Sequence, residues 1–170
     1  GRYVSQDVKK ELLYLKSEGV KGIVLDIRNN GGGSLSEVVN IVGLFISQGA
    51  VVQVQNSDGT KKTYDDKDPS IDWDGPLAVM VNELSASASE ILAGAIQDYG
   101  RGVIIGSSQT YGKGTVQSVY PLDRFSFGNE NLGDLKLTVQ KYYRITGNSV
   151  QLKGVNSDII MPDRFTFIPE

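Results

Sequence analysis

Leu77-Ala78-Val79-Met80-Val81-Asn82-Glu83-Leu84-Ser85-Ala86-Ser87-Ala88-Ser89-Glu90-Ile91 passes from an unbroken apolar run, through a polar turn, into a serine-rich helix start. Five apolar residues in succession are the pattern of a strand covered on both faces. The segment that follows reads as a helix from Ser85 to Tyr99, closed by Gly100. Val103 to Gly106 is then a second buried strand. Upstream, Gly22 to Ile27 is a third short apolar run that also reads as covered on both faces. It is followed by the turn Asn29-Asn30-Gly31-Gly32-Gly33 and a helix from Ser34 to Ser47, with a capping box from Ser34 to Glu37. Strand and helix therefore alternate through residues 20–106, which argues for an α/β layered core with mainly parallel pairing.

Outside that stretch, Val8, Leu12 and Leu15 make one stripe of an amphipathic helix over Ser5 to Glu18, with Ser5 as its N-cap and Gly19 at its end. Val51 to Gln55 and Lys61 to Tyr64 flank Asn56-Ser57-Asp58-Gly59, a hairpin signature. Asp65 to Gly75 reads as a polar loop carrying the single Trp73. Thr115 to Tyr120 and Leu135 to Ile145 read as strands joined by a loop over Pro121 to Gly133, with regular structure stopping near Pro162. The hairpin and the late strands add antiparallel pieces to the parallel core.

The bulk numbers exclude more than they include. With 170 residues, 39% apolar and 22% charged, the chain has the composition of a globular domain with a real core. A formal net charge of −3 gives no reason to expect nucleic acid as a partner. There is no Cys and no His, so thiol catalysis, a disulfide framework and a Ser-His-Asp triad are all ruled out. A serine hydrolase of this composition takes its base from Lys, a carboxylate or a terminal amine.

The serine-rich turn supports two readings. Ser87 and Glu90 make a capping box. Equally, a hydroxyl on a sharp strand-to-helix turn, with first-turn N–H groups beside it, is where a nucleophile and an oxyanion donor meet. A second segment, Gly112-Lys113-Gly114-Thr115-Val116-Gln117, sets a Lys between glycines ahead of a strand. It is not a phosphate loop: the glycine spacing is wrong, no hydroxyl follows the Lys, and a strand rather than a helix comes next. In an extended segment Lys113, Thr115 and Gln117 share a face, so Gln117 is placed to orient the amine. As a base, Lys113 must be uncharged, which burial among Val103, Ile104, Ile105, Val116 and Val119 would favour. The glycine triple after Asp26-Ile27-Arg28 reads either as a plain tight turn or as a second source of oxyanion N–H groups. Asp26 with Arg28, and Asp98 with Arg101, read as structural ion pairs or turn braces, not as acid–base couples.

These segments in this order resemble the carboxyl-terminal processing peptidases, or tail-specific proteases, and the bacterial periplasmic branch among them. Further matching stretches are Gln97-Asp98-Tyr99-Gly100-Arg101, Gln140-Lys141-Tyr142-Tyr143-Arg144, Gln151-Leu152-Lys153-Gly154-Val155 and Asp158-Ile159-Ile160-Met161-Pro162. The resemblance implies a crotonase-like α/β core with added antiparallel strands. It implies Ser87 as nucleophile, Lys113 as general base, Gln117 as its orienting partner, and the N–H groups of Ala88 and Gly33 as oxyanion donors. Protein substrates with nonpolar C-terminal tails follow from it, as do an extracytoplasmic location and the absence of any cofactor or metal. It further implies that the chain is one protease core belonging to a longer protein, with a PDZ domain elsewhere in the parent. Two rival readings stay open: a non-catalytic peptide- or ligand-binding module, and an acyl-thioester enzyme on the same fold.

Overall fold

The structure, a computed structural model, describes residues 3–125 and 132–162. Along the chain the elements are α1 (Val4–Ser17), β1 (Ile23–Asp26), α2 (Leu35–Gly43), β2 (Gly49–Asn56), β3 (Lys61–Asp66), β4 (Leu77–Val81), α3 (Ala88–Asp98), β5 (Val103–Gly106), β6 (Thr115–Pro121), a 3-10 turn at Leu122–Phe125, β7 (Asp134–Tyr143) and β8 (Ile159–Ile160). The strands form two sheets of opposite character. The first has order β1-β4-β5-β8 and the second β3-β2-β7-β6. All pairs in the first are parallel and all in the second antiparallel. The division follows the connections: the first three parallel strands are linked through helices or long crossovers, whereas a tight turn joins β2 to β3.

Helix α3 packs against β5 of the parallel sheet and β2 of the antiparallel one. All residues from Ala88 to Ile96 are buried. Its small residues, Ala88, Ala93, Gly94 and Ala95, permit that two-sided approach, since a helix buried all round has no polar face to spare. Phe45, Val79, Val81 and Ile104 are fully enclosed, as is Ile96 of the helix itself.

Several expectations are corrected by the packing. Helix α2 stops at Gly43, not Ser47, because the Leu44 carbonyl accepts the N–H groups of Asp72 and Trp73 and the Phe45 carbonyl accepts Arg101 Nε. Those bonds pin the polar loop 67–76, with Trp73 buried and its indole N–H donated to Pro76 O. Ser5 is not the cap of α1: it lies inside the helix and gives both its N–H and its hydroxyl to the Glu37 carboxylate. Glu37 is therefore turned away from the reciprocal half of the expected capping box, and only the Ser34 Oγ half is made. Asp98 does not pair with Arg101. It pairs with Arg144 at 2.6 Å, while Arg101 is drawn to the carbonyls of Phe45, Trp73 and Gly75. Asp26 and Arg28 do pair, at 2.7 Å. Strand β1 is covered on one face only, with Val24 64% exposed. The two-residue β8 is too short to carry any sequence pattern, and it is held by pairing with β5. The expected loop from Pro121 to Gly133 begins as strand and 3-10 turn, and its residues 126–131 lie outside the described ones.

Gly106 ends β5 at φ 147°, and a Cβ there would overlap the Val81 carbonyl oxygen. Relief would require parting β4 from β5. Gly106→Ala is therefore expected to lower stability by about 3 kcal/mol or more, read from the urea midpoint at unchanged slope.

Candidate active site

Four segments converge where β4 gives way to α3. The turn after β4 is bound to the turn after β1 by a lattice of polar contacts. Asn82 and Asn29 bond reciprocally, Oδ1 of Asn82 accepting Asn29 N–H at 2.8 Å and Nδ2 of Asn82 donating to Asn29 Oδ1 at 2.9 Å. Ser85 donates its hydroxyl to Ile27 O, and Ser89 donates its own to Asn30 O, both at 2.9 Å. Two of the three serines are thus committed to holding the glycine turn in place. The middle one, Ser87, is the N-cap of α3 and completes a capping box with Glu90. Its backbone sits at φ 58°, ψ −114°, a conformation that costs a non-glycine residue on the order of 1–3 kcal/mol and is kept only where its surroundings enforce it. Capping and a strained strand-to-helix turn, opposed readings at the sequence level, occur together in this half-buried residue.

Glu90 supplies the enforcement. Its side chain is fully buried, and its oxygens accept four donors. Oε2 takes Ser87 N–H at 2.8 Å and Lys113 N–H at 2.9 Å; Oε1 takes the Thr110 hydroxyl at 2.7 Å and Gly112 N–H at 2.6 Å. Donors alone surround it, the arrangement that suits a carboxylate acting purely as acceptor. Because one oxygen holds both N–H groups, the backbones of Ser87 and Lys113 lie within two hydrogen bonds of each other. Tyr142 of β7 closes the other side. Its hydroxyl donates to Lys113 O at 2.6 Å and lies 3.2 Å from Ser87 O. Burial, and then the nearby Glu90 carboxylate, push that phenol well above its ordinary pKa.

The glycine turn makes its closest approach at Gly32, whose φ is 97°; a Cβ there would lie within 2.8 Å of Ala88 N and of Ser87 Cβ. Gly32 N–H is occupied by Asn30 Oδ1 at 2.9 Å. Among the described residues, the N–H groups of Gly33 and Ala88 have no protein acceptor. Both residues line a cleft of about 780 Å³ whose apolar wall includes Val8, Leu25, Ile27, Val38, Ile41 and Leu92. Lys113 is half-buried. Gln117 is exposed on β6, opposite Thr138 and just beyond a register shift at which β7 carries the extra residue Val139. It makes no side-chain hydrogen bond to Lys113 among the described residues. At the mouth of the β1 turn, the Arg28 guanidinium holds the Asp26 carboxyl below its usual pKa, away from the range of an acid–base group. No group of His, Cys, Asp and Glu among the described residues is arranged to hold a metal ion, and no helix there is long and apolar enough to cross a membrane.

Fold and site together define a mixed α/β domain laid out like a peptidase core. Residues 2–161 match the model of peptidase family S41. The chain is 46% identical over 166 residues to a tail-specific protease of Haemophilus influenzae, covering 94% of this chain and 23% of that protein. It is 38% identical over 151 residues to a carboxy-terminal-processing protease of Bartonella bacilliformis, covering 86% of this chain and 32% of that one. Among solved structures, a photosystem II D1 C-terminal processing protease superposes with a TM-score of 0.80 at 37% identity, over 92% of this chain and 39% of that chain. The chain belongs to peptidase family S41. It spans roughly a quarter to two-fifths of the length of these relatives.

Sequence reasoning did not find the roles of Thr110 and Tyr142. Tyr142 was available as a large side chain on a strand, but its target atoms lie in segments remote in sequence. Two outcomes test the frame. Glu90→Gln turns an amide NH₂ toward N–H donors and is expected to cost about 2–5 kcal/mol in urea unfolding. Above pH ~10 the unfolded chain releases the Tyr142 proton while the folded chain retains it, so stability falls as pH rises. In Tyr142→Phe, the loss between pH 10 and 11 should be smaller than in the wild type by about 1 kcal/mol.

Proposed function

We propose that the chain is the core of a serine endopeptidase that works by a Ser87–Lys113 dyad on proteins with nonpolar C-terminal tails. The observation that carries this reading is the Glu90–Tyr142 frame, which joins the backbones of Ser87 and Lys113 from both sides at a strained serine. Neutral Lys113 takes the Ser87 proton as Oγ forms a bond to the scissile carbonyl carbon. The Gly33 and Ala88 N–H groups receive the oxyanion, helped by the positive end of α3. The C–N bond then breaks, and Lys113 delivers the proton to the leaving amine. Water, deprotonated by Lys113, cleaves the acyl ester, and the proton returns to Ser87. Gln117, two residues beyond Thr115 on β6, is the partner that steadies the Lys113 amine once a substrate covers that face.

The nonpolar preference is supported by the apolar wall of the cleft beside Gly33 and Ala88. An extended substrate is suited to pair with an exposed strand edge. In this reading the core is crotonase-like, residues 1–170 form one catalytic domain, and a PDZ domain of the parent protein presents the tail. An extracytoplasmic, periplasmic site of action belongs to the same reading. No cofactor or metal enters any step.

The test uses the full-length parent protein and an unstructured protein ending in a nonpolar tail. Ser87→Ala and Lys113→Ala are each expected to reduce cleavage by more than about 10³-fold with native circular dichroism. Cleavage at wild-type rate in either variant would sink the dyad.

A further inference from the structure

A hydroxyl that touches the carbonyls of two proposed catalytic residues, and neither of their side chains, is the most informative group outside the reaction itself. Tyr142 is 1% exposed and belongs to β7, paired with Val54 of β2. Its backbone N–H donates to Gly114 O at 3.0 Å. Its hydroxyl donates to Lys113 O at 2.6 Å and sits 3.2 Å from Ser87 O. The same residue therefore binds two successive carbonyls of the lysine loop and reaches the nucleophile turn. The end of β7 is itself anchored to α3 through Arg144, whose guanidinium meets Asp98 at 2.6 Å and Gln97 Oε1 at 2.9 Å.

We propose that Tyr142 is a positioning residue that sets the separation of Ser87 and Lys113 by binding both of their carbonyls, so that the antiparallel sheet gauges the dyad. This inference rests on the dyad reading. Ser87 holds a disfavoured backbone conformation, which needs restraint on both of its peptide groups. Glu90 restrains the N–H groups of Ser87 and Lys113 only. The Ser87 carbonyl is also held by the Glu90 and Ile91 N–H groups of α3 at 2.9 and 3.0 Å, whereas Lys113, without a tie on its carbonyl, is left to pivot about its bond to Glu90. Tyr142 supplies that tie: its single phenol proton is donated to Lys113 O at 2.6 Å and shared with the helix-held Ser87 O at 3.2 Å, which no carboxylate or amide oxygen can do. A pivot moves the tips of Ser87 and Lys113 relative to each other, and a displacement of an ångström in a reacting pair costs on the order of a hundredfold in rate.

The experiment compares the full-length protein with Tyr142→Phe and with Tyr142→4-aminophenylalanine, which restores an N–H donor at the same point. The first readout is the rate of covalent labelling by a small phosphonofluoridate, which bonds to Ser87 Oγ with loss of fluoride and needs no bound tail. The second is the split between kcat and KM for peptide cleavage. Tyr142→Phe is expected to slow labelling and kcat by on the order of tenfold to a hundredfold, with KM within about twofold and a folded fraction unchanged by circular dichroism. The amino variant should recover labelling to within about threefold of wild type. The proposal is overturned by a Phe variant that labels at wild-type rate, or by one whose lost rate matches its lost folded fraction. An amino variant that folds natively yet stays as slow as the Phe variant overturns it too. Should the Phe variant not fold, the amino variant decides alone, native folding with slow labelling counting against the proposal. Rapid labelling of Ser87→Ala is a different result: it removes the dyad reading itself.

Discussion

A carboxylate shut away from water must find hydrogen-bond donors within reach, and Glu90 finds all four in the machinery around it. Two come from backbone N–H groups at Gly112 and Lys113, one from the Thr110 hydroxyl, and one from Ser87. None of these donors is replaceable by solvent, because the side chain is fully enclosed. The start of α3 and the loop before β6 therefore form one unit: displacing either would leave a buried charge short of partners, a cost of several kcal/mol. Thr110 extends the unit further, since its Oγ1 also accepts Val155 N–H at 2.8 Å and so ties in the segment that leads to β8.

The layers supply what this polar knot cannot. Helix α3 is gripped by a parallel sheet on one side and an antiparallel sheet on the other, so its N-terminus has a fixed place relative to both. The parallel sheet delivers the two turns that carry Ser87 and the glycine triple, each at the carboxyl end of its strand. The antiparallel sheet delivers Tyr142 and, through Arg144, a part-buried ion pair at the far end of α3. Asp98 and Arg144 are 7% and 18% exposed in their side chains; such a pair adds little net stability but fixes the register of the helix against β7, since moving either partner strands the other. The two ends of α3 are thus clamped by different chemistry.

The alternation of short apolar runs with helical stretches made the parallel sheet, its helices and the hairpin legible from the sequence, because those patterns are local. Ser87, Lys113 and the glycine turn stood out for the same reason: each is a short motif at an element boundary. The tertiary polar contacts were not legible. Nothing local says that Asp98 meets Arg144 and not the nearer Arg101, since Arg101 is claimed by three carbonyls that the loop around Trp73 brings in. The end of α2 is set the same way, by acceptors at Leu44 and Phe45 whose donors lie dozens of residues away. The capping box at Ser87 was readable, but the use of the same Glu90 by the lysine loop was not, because it depends on a fold that the box alone does not specify.

The polar frame has one further consequence. Its bonds run to backbone atoms: the N–H groups of Ser87, Gly112 and Lys113, and the carbonyls of Ser87, Lys113, Ile27 and Asn30. The side chains that perform the structural work are Ser85, Ser89, Glu90, Thr110 and Tyr142, all of them buried. Precision at the site is thus built into peptide groups by residues other than the proposed nucleophile and base. Such a division lets Ser87 hold its strained conformation, since the strain is met largely by bonds to its peptide groups. It also explains why glycine is needed at Gly32. The turn must come close enough for Gly33 and Ala88 N–H groups to face the same cleft, and the Cβ of any other residue would press on Ser87 Cβ and Ala88 N before that approach was complete.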